Sequence, residues 1–119
     1  MKTPKPLRLI VLYAWLPDHN NPHQPGPKYR PVLVLDINPQ NQQLLVVYGT
    51  SQNTQQMGKG EFTVHLEGLS KPTKFCFAYQ RWIPANDLYL CKNGKKHVVG
   101  SLPSDYYDRV IDALEEIDS

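Results

Sequence analysis

Apolar residues along this chain recur at every second position or in short unbroken runs, and both patterns predict β-strands. The first apolar stretch runs from Leu7 to Trp15, and Arg8 to Trp15 reads as a strand. Val32-Leu33-Val34-Leu35-Asp36-Ile37 is a near-continuous run of β-branched residues and leucine, which predicts a strand buried on both faces. Asn38-Pro39-Gln40-Asn41 is a turn, and Gln43 to Tyr48 returns as the next strand. From Glu61 to Leu66 the apolar Phe62, Val64 and Leu66 alternate with Glu61, Thr63 and His65, so His65 is expected to face solvent. Thr73 to Tyr79 is a further strand. Leu88 to Cys91 and His97 to Val99 are expected to form a hairpin around Asn93-Gly94, a dipeptide suited to the positive φ of a tight turn.

Two polar stretches separate these runs. Pro17 to Tyr29 contains Pro17, Pro22, Pro25 and Pro27, which exclude helix and internal strand and predict a long surface loop over 17–29. Long loops in small domains often carry function. Gly49 to Gly60, rich in Gln, Asn and Gly, is a second loop. Residues 1–6, with two prolines and two lysines, are expected to be a loose arm.

The period changes at the C-terminal end. Tyr106, Val110, Ala113, Leu114 and Ile117 share one face of a helix predicted over 104–117. Ser104 is placed to cap it, and Asp105 and Asp108 suit its positive end. About six short strands, long loops and one terminal amphipathic helix predict a single mainly β domain over residues 1–119. The pattern favours a small, strongly bent antiparallel barrel, and by itself leaves SH3-like and OB-like closures open.

Composition narrows the class. With 40% hydrophobic and 20% charged residues, the chain has a core to bury and is not of the disordered type. No apolar run approaches the roughly 20 residues that cross a bilayer. Leu7 to Trp15 follows basic residues as a signal peptide would, but it is short, contains Arg8 and leads into Leu16-Pro17-Asp18 rather than a cleavage site. A cytoplasmic protein without a membrane partner is expected. Cys76 and Cys91 fit a reducing compartment, Cys76 as a buried thiol between Phe75 and Phe77. His65, His97 and the cysteines lack the short paired spacing of a zinc site, so neither metal nor cofactor is expected.

The net charge of +2 hides an asymmetry. Through Gly100, 12 Lys and Arg stand against 5 Asp and Glu, whereas from Ser101 onward Arg109 alone faces six acids. A basic body with an acidic tail suits a polyanionic ligand, whose counterions lysine and arginine displace.

Four phrases carry further information. His23-Gln24-Pro25-Gly26-Pro27-Lys28-Tyr29-Arg30-Pro31 leads from a loop into the valine-rich strand. Tyr48-Gly49-Thr50-Ser51 ends the next one, Phe62 to Gly68 has the form Phe-x-Val-x-Leu-x-Gly, and Gly100-Ser101-Leu102 opens the terminal helix. As an ordered set over roughly residues 8–117, these resemble the MazF/PemK family of toxin–antitoxin ribonucleases. The resemblance implies an SH3-like barrel that cleaves single-stranded RNA without a metal. It also implies a homodimer with RNA across its interface groove, neutralised by an antitoxin whose disordered acidic segment fills that groove. In the family the Arg of the Arg-Pro pair and the Thr of the second phrase are implicated in catalysis, which carries those roles to Arg30 and Thr50.

The chemistry can be argued from the residues as well. In RNA the 2′-OH attacks its own phosphodiester, so the protein must take that proton, stabilise the pentavalent phosphate and protonate the leaving 5′-oxygen. Arg30 offers a permanent charge and a fork of donors; its pKa above about 12 suits charge stabilisation better than proton donation. Thr50 and Ser51 offer hydroxyl donors, and His23 or His19 a group titrating near neutrality. Lys28, Ser51, Gln52, His19 and Arg81 are the expected substrate-binding residues. Trp15, Tyr29, Tyr48 and Trp82 are rings able to stack on bases, although Trp15 on an apolar strand also fits a core.

The chain departs from the family pattern at two places. Lys5-Pro6-Leu7-Arg8 stands where a Gly-Asp is usual, and Tyr79-Gln80-Arg81 stands where many members carry an Asp-Gln with a nearby Arg. The missing acid keeps two alternatives open: a non-catalytic toxin that contacts a protein such as DNA gyrase through its terminal helix, and a binder of single-stranded nucleic acid that cleaves nothing.

Overall fold

The near-continuous apolar run after Arg30 has both of its faces covered from Val32 to Val34, whereas Ile37 at its end is exposed. In the computed structural model, which describes residues 9–18 and 20–118, Val32 and Val34 point into one core and Leu33 into another. The strand that carries them, β2 (Tyr29–Asn38), is flanked by β1 (Ile10–Trp15) and β3 (Gln43–Thr50). The remaining elements are β4 (Glu61–Val64), β5 (Thr73–Pro84), a helical turn α1 (Asp87–Leu90), β6 (Cys91–Lys92), β7 (Lys95–Lys96), β8 (Val98–Ser101) and α2 (Tyr107–Ile117), the last preceded by a 3₁₀ turn over Ser104–Tyr106. The expected arm at residues 1–6, the Leu7-Arg8 start of the first strand, and His19 lie outside the described residues.

Six strands form one antiparallel sheet in the order β4-β5-β3-β2-β1-β8, and β6 and β7 form a separate two-stranded hairpin. The main sheet bends where β5 runs past β3. Val47 pairs with Gln80 but its neighbour Tyr48 pairs with Cys76, so Phe77, Ala78 and Tyr79 have no partner on β3. Extra residues on one strand of an antiparallel pair sharpen its twist and bend it. The fold is the mainly β, strongly bent antiparallel barrel with a C-terminal amphipathic helix that the strand pattern predicted.

One core joins Leu9, Val11, Leu33, Val47, Phe75 and Phe77 to Val110 and Ala113 of α2, with Tyr106, Leu114 and Ile117 packed alongside. Fully burying a side chain the size of Val110 stabilises by about 1.5–3 kcal/mol, so the apolar stripe of α2 holds it on the sheet. The other core joins Ala14, Val32, Val46 and Ile83 to Tyr89 and Leu90 of α1. Cys76 is buried, and that burial first, with the charge of Glu61 second, pushes its thiol up to about 11.

Three expectations need correction. Leu88–Leu90 is helical rather than strand, because the Asn86 side chain accepts a hydrogen bond from the Tyr89 backbone N–H and starts a turn. The hairpin does turn at Asn93-Gly94, both with positive φ, but it pairs Cys91–Lys92 with Lys95–Lys96; the Val98–Val99 stretch instead joins β1. Ser104 makes no capping hydrogen bond; the 3₁₀ turn supplies the entry to α2.

Candidate nucleic-acid interface

The loop between β1 and β2 doubles back tightly enough to return the chain alongside the strand it left. The Asp18 carboxylate accepts hydrogen bonds from the backbone N–H groups of Asn20 and Asn21, which closes the turn. At the other end Gly26 donates from its N–H to the Trp15 carbonyl at 3.4 Å. A Cβ at Gly26 would collide with the Leu16 carbonyl, so only glycine permits this close approach. The following residues then enter β2 in register, Tyr29 opposite Trp15 and Arg30 opposite Ala14.

On the other side of β2, Val32 faces Tyr48. Continuing the two-residue strand period places Arg30 and Thr50 on the same face as that pair. Arg30 Nη1 donates to the Tyr48 hydroxyl at 3.0 Å, and its guanidinium lies 5.1 Å from the centre of the Tyr48 ring. The Thr50 hydroxyl oxygen accepts from the Gln52 N–H at 3.1 Å, which turns the chain out of β3.

These residues open onto a cavity of about 530 Å³. Lys28, Arg30, Thr50, Ser51 and Gln52 all line it, together with Tyr13, Trp15, Tyr29, Ser70, Lys71 and Lys92. Its lining thus holds four cations, three aromatic rings and three hydroxyl-bearing Ser and Thr residues beside Thr73, with no carboxylate among the described residues. Burial pushes the Tyr29 phenol up from its usual range, and its hydroxyl donates to the Leu90 carbonyl at 2.7 Å.

A second cavity of about 800 Å³ adjoins the first, and Pro27, Lys28 and Arg30 line both. Tyr48, Tyr79, Gln80, Arg81 and Asp18 lie in this second one. Arg81 is anchored by a 3.1 Å hydrogen bond from Nη1 to the Pro17 carbonyl, and its buried Nε has no hydrogen-bond partner among the described residues. Arg30 and Lys28 therefore form a basic ridge between two hollows.

Compared with models of known protein families, the chain matches none, and no curated protein is significantly similar to it.

Of the residues singled out in the sequence, the structure brings Lys28, Arg30, Thr50, Ser51 and Gln52 into one cavity, and places Arg81 in the next. His23 is exposed and lines neither hollow, and His19 lies outside the described residues. Trp15 and Tyr29 line the first cavity and Tyr48 the second, whereas Trp82, opposite Leu45, lines neither. Sequence reasoning passed over Tyr13, Lys71 and Lys92. Tyr13 is two residues before Trp15 on the same strand face, a signal that was readable; Lys71 and Lys92 reach the cavity only through tertiary packing.

Loop 51–60, which carries Ser51 and Gln52, is held from beneath. The buried Lys74 ammonium donates to the carbonyls of Asn53 and Gln56 at 3.1 and 2.7 Å and pairs with Glu61 at 3.4 Å. The N–H of Gly58, and then the Lys74 charge, hold the Glu61 carboxyl below its ordinary range. A lysine buried this deeply is stable only because its charge is paired and hydrogen-bonded.

Proposed function

We propose that the protein is a metal-independent endoribonuclease acting on single-stranded RNA, the toxin of a toxin–antitoxin pair. The observation that supports this reading is the convergence of Arg30, Lys28, Thr50 and Ser51 on one carboxylate-free cavity. A phosphodiester held there meets the arginine fork, and the two hydroxyls donate to its non-bridging oxygens as charge develops in the pentavalent state. The substrate's own 2′-OH is the nucleophile, so the protein's task is positioning and charge stabilisation. A messenger RNA substrate puts the activity in the cytoplasm. Among the described residues no helix is long and apolar enough to cross a membrane. The same basic cavity suits the acidic segment of an antitoxin, and a homodimer would extend the groove.

One observation favours a second reading. The cavity lining contains no histidine or carboxylate to move a proton, which fits a binder of single-stranded nucleic acid that does not cut. The two readings separate when wild-type protein and Arg30→Ala are incubated with long single-stranded RNA in excess EDTA and the new 5′ ends are mapped. Discrete cuts by the wild type that vanish in Arg30→Ala support the ribonuclease. Intact RNA bound by folded wild-type protein leaves the binder.

A further inference from the structure

Four rings form a continuous ladder across one end of the sheet. His97 stacks on Tyr13 with centroids 4.3 Å apart and planes within 12°, Tyr13 stacks on Tyr29 at 5.4 Å, and Trp15 tilts against Tyr29 at 4.9 Å. The ladder begins beside Arg30, since Tyr29 precedes it on β2 and Trp15 faces Tyr29 across β1. Two of its polar handles are occupied: Trp15 Nε1 donates to the Cys91 carbonyl at 2.8 Å and the Tyr29 hydroxyl to that of Leu90. Trp15 and Tyr29 are thereby fixed in place, and Tyr13, stacked between His97 and Tyr29, ties the ladder together, so that a base can stack only at its His97 and Trp15 ends.

The hairpin docked on this ladder is basic. The Lys92 ammonium lies 5.9 Å from the centres of both the Trp15 and Tyr29 rings. Lys92 stands directly opposite Lys95, with Lys96 next to that pair, and none of the three has a carboxylate partner among the described ion pairs. Like charges opposed across a strand pair weaken it, so Lys92 and Lys95 are placed for a ligand's negative charge rather than for stability, and Lys96, opposite Cys91, adds a third cation to the hairpin. Stacking rings alternating with cations are the recurrent means of holding single-stranded nucleic acid, and every base has a face to stack.

We infer that the His97–Tyr13–Tyr29–Trp15 ladder and the Lys92, Lys95 and Lys96 hairpin form a sequence-tolerant track for the single-stranded RNA flanking the phosphate on Arg30. This rests on the ribonuclease reading for the position of that phosphate. With the indole N–H and the Tyr29 hydroxyl committed to backbone carbonyls, these two rings have no donor left to read base edges. The track holds any sequence, and whatever selectivity the protein has arises elsewhere.

The test uses binding rather than cleavage. Trp82→Phe leaves Trp15 as the single tryptophan, since the chain has two. This protein is titrated with 2′-O-methyl oligonucleotides of several sequences, which lack the nucleophile and cannot be cut. Trp15 fluorescence is expected to quench on binding, with affinity varying little among sequences. Adding Lys92→Gln, Lys95→Gln and Lys96→Gln, all exposed, should weaken binding about tenfold or more and reduce the salt slope by about 2. Unchanged affinity and slope in the triple variant would overturn the track, while Arg30-dependent cleavage of RNA would still stand. Conversely, quenching and the expected loss without any Arg30-dependent cut keep the track and remove the ribonuclease. Should the triple variant lose binding to a polyglutamate peptide but keep the oligonucleotides, the hairpin serves an acidic protein partner and the inference fails.

Discussion

Arg30 is held edge and face by a single neighbour: its Nη1 donates to the Tyr48 hydroxyl at 3.0 Å, and its guanidinium lies 5.1 Å from the centre of the same ring. One of five N–H donors is committed, and the rest of the fork keeps its orientation for a phosphate. Tyr48 acts here as an orienting group, its hydroxyl accepting from Arg30.

Removing that hydroxyl while keeping the ring separates orientation from stacking. Tyr48→Phe is expected to lower single-turnover RNA cleavage by about tenfold, in line with the loss of one hydrogen bond to a charged group. Arg30→Lys keeps the charge but not the fork and should cost more, approaching the roughly 10²–10³-fold loss typical of removing a charge-stabilising donor. Circular dichroism should show all of these variants folded. Equal rates for Tyr48→Phe and wild type would remove Tyr48 from the site.

Thr50 does two things with one oxygen. Its lone pair accepts from Gln52, shaping the exit from β3, and its proton remains free to donate. Thr50→Ser should retain both functions, whereas Thr50→Val should lose about tenfold in cleavage and loosen Ser51 and Gln52. A Thr50→Val protein that cuts at the wild-type rate would show that the hydroxyl never touches the phosphate.

Acid should release the same loop. The folded state holds the Glu61 carboxyl below its ordinary value of 4.5, chiefly through the Gly58 N–H and then through Lys74. A depressed carboxylate contributes stability above its unfolded pKa, and that contribution is lost as the pH falls below about 4.5 through the lower folded value. Denaturant midpoints at pH 7 and pH 3 should differ less in Glu61→Gln than in wild type. Protection factors for hydrogen exchange in 51–60 should fall at the lower pH in the wild type alone. Identical pH dependence of the two proteins would place the acid sensitivity elsewhere.

Gly60 fastens the far end of this loop to α2. Its φ is +71°, its N–H donates to the Glu116 carboxylate at 2.8 Å, and an added Cβ would run into Ile117. Gly60→Ala should therefore cost about 1–3 kcal/mol of stability, through strain and displacement of the helix. A melting temperature within one degree of wild type would contradict this packing.

Much of this architecture was readable in the residues. The run from Val32 announced a strand covered on both faces because it has no polar alternation, and Gln43 to Tyr48 announced the strand that follows. The helix stripe of Val110 and Ala113 was equally plain. The continuation of β5 past Tyr79 was not, because three unpaired residues break the alternation at the point where the strand bends. Asn86 capping a turn was a missed local signal, outweighed by the apolar Leu88, Tyr89 and Leu90 that follow. At the candidate site, Arg30 and Thr50 stood out through the phrases that resemble the MazF/PemK family and through the donors they offer a phosphate. The stacking of His97 on Tyr13 had no local signature, since it depends on β8 pairing with β1 across nearly the whole chain.

That long-range pairing also sets an order in time. Arg30 and Thr50 leave the ribosome early, on strands that are neighbours in sequence. The ladder beside them lacks its terminal ring and its lysines until residues 92–97 emerge and β8 closes onto β1. On the ribonuclease reading, the part of the site that grips RNA thus stays unassembled while most of the chain is being made.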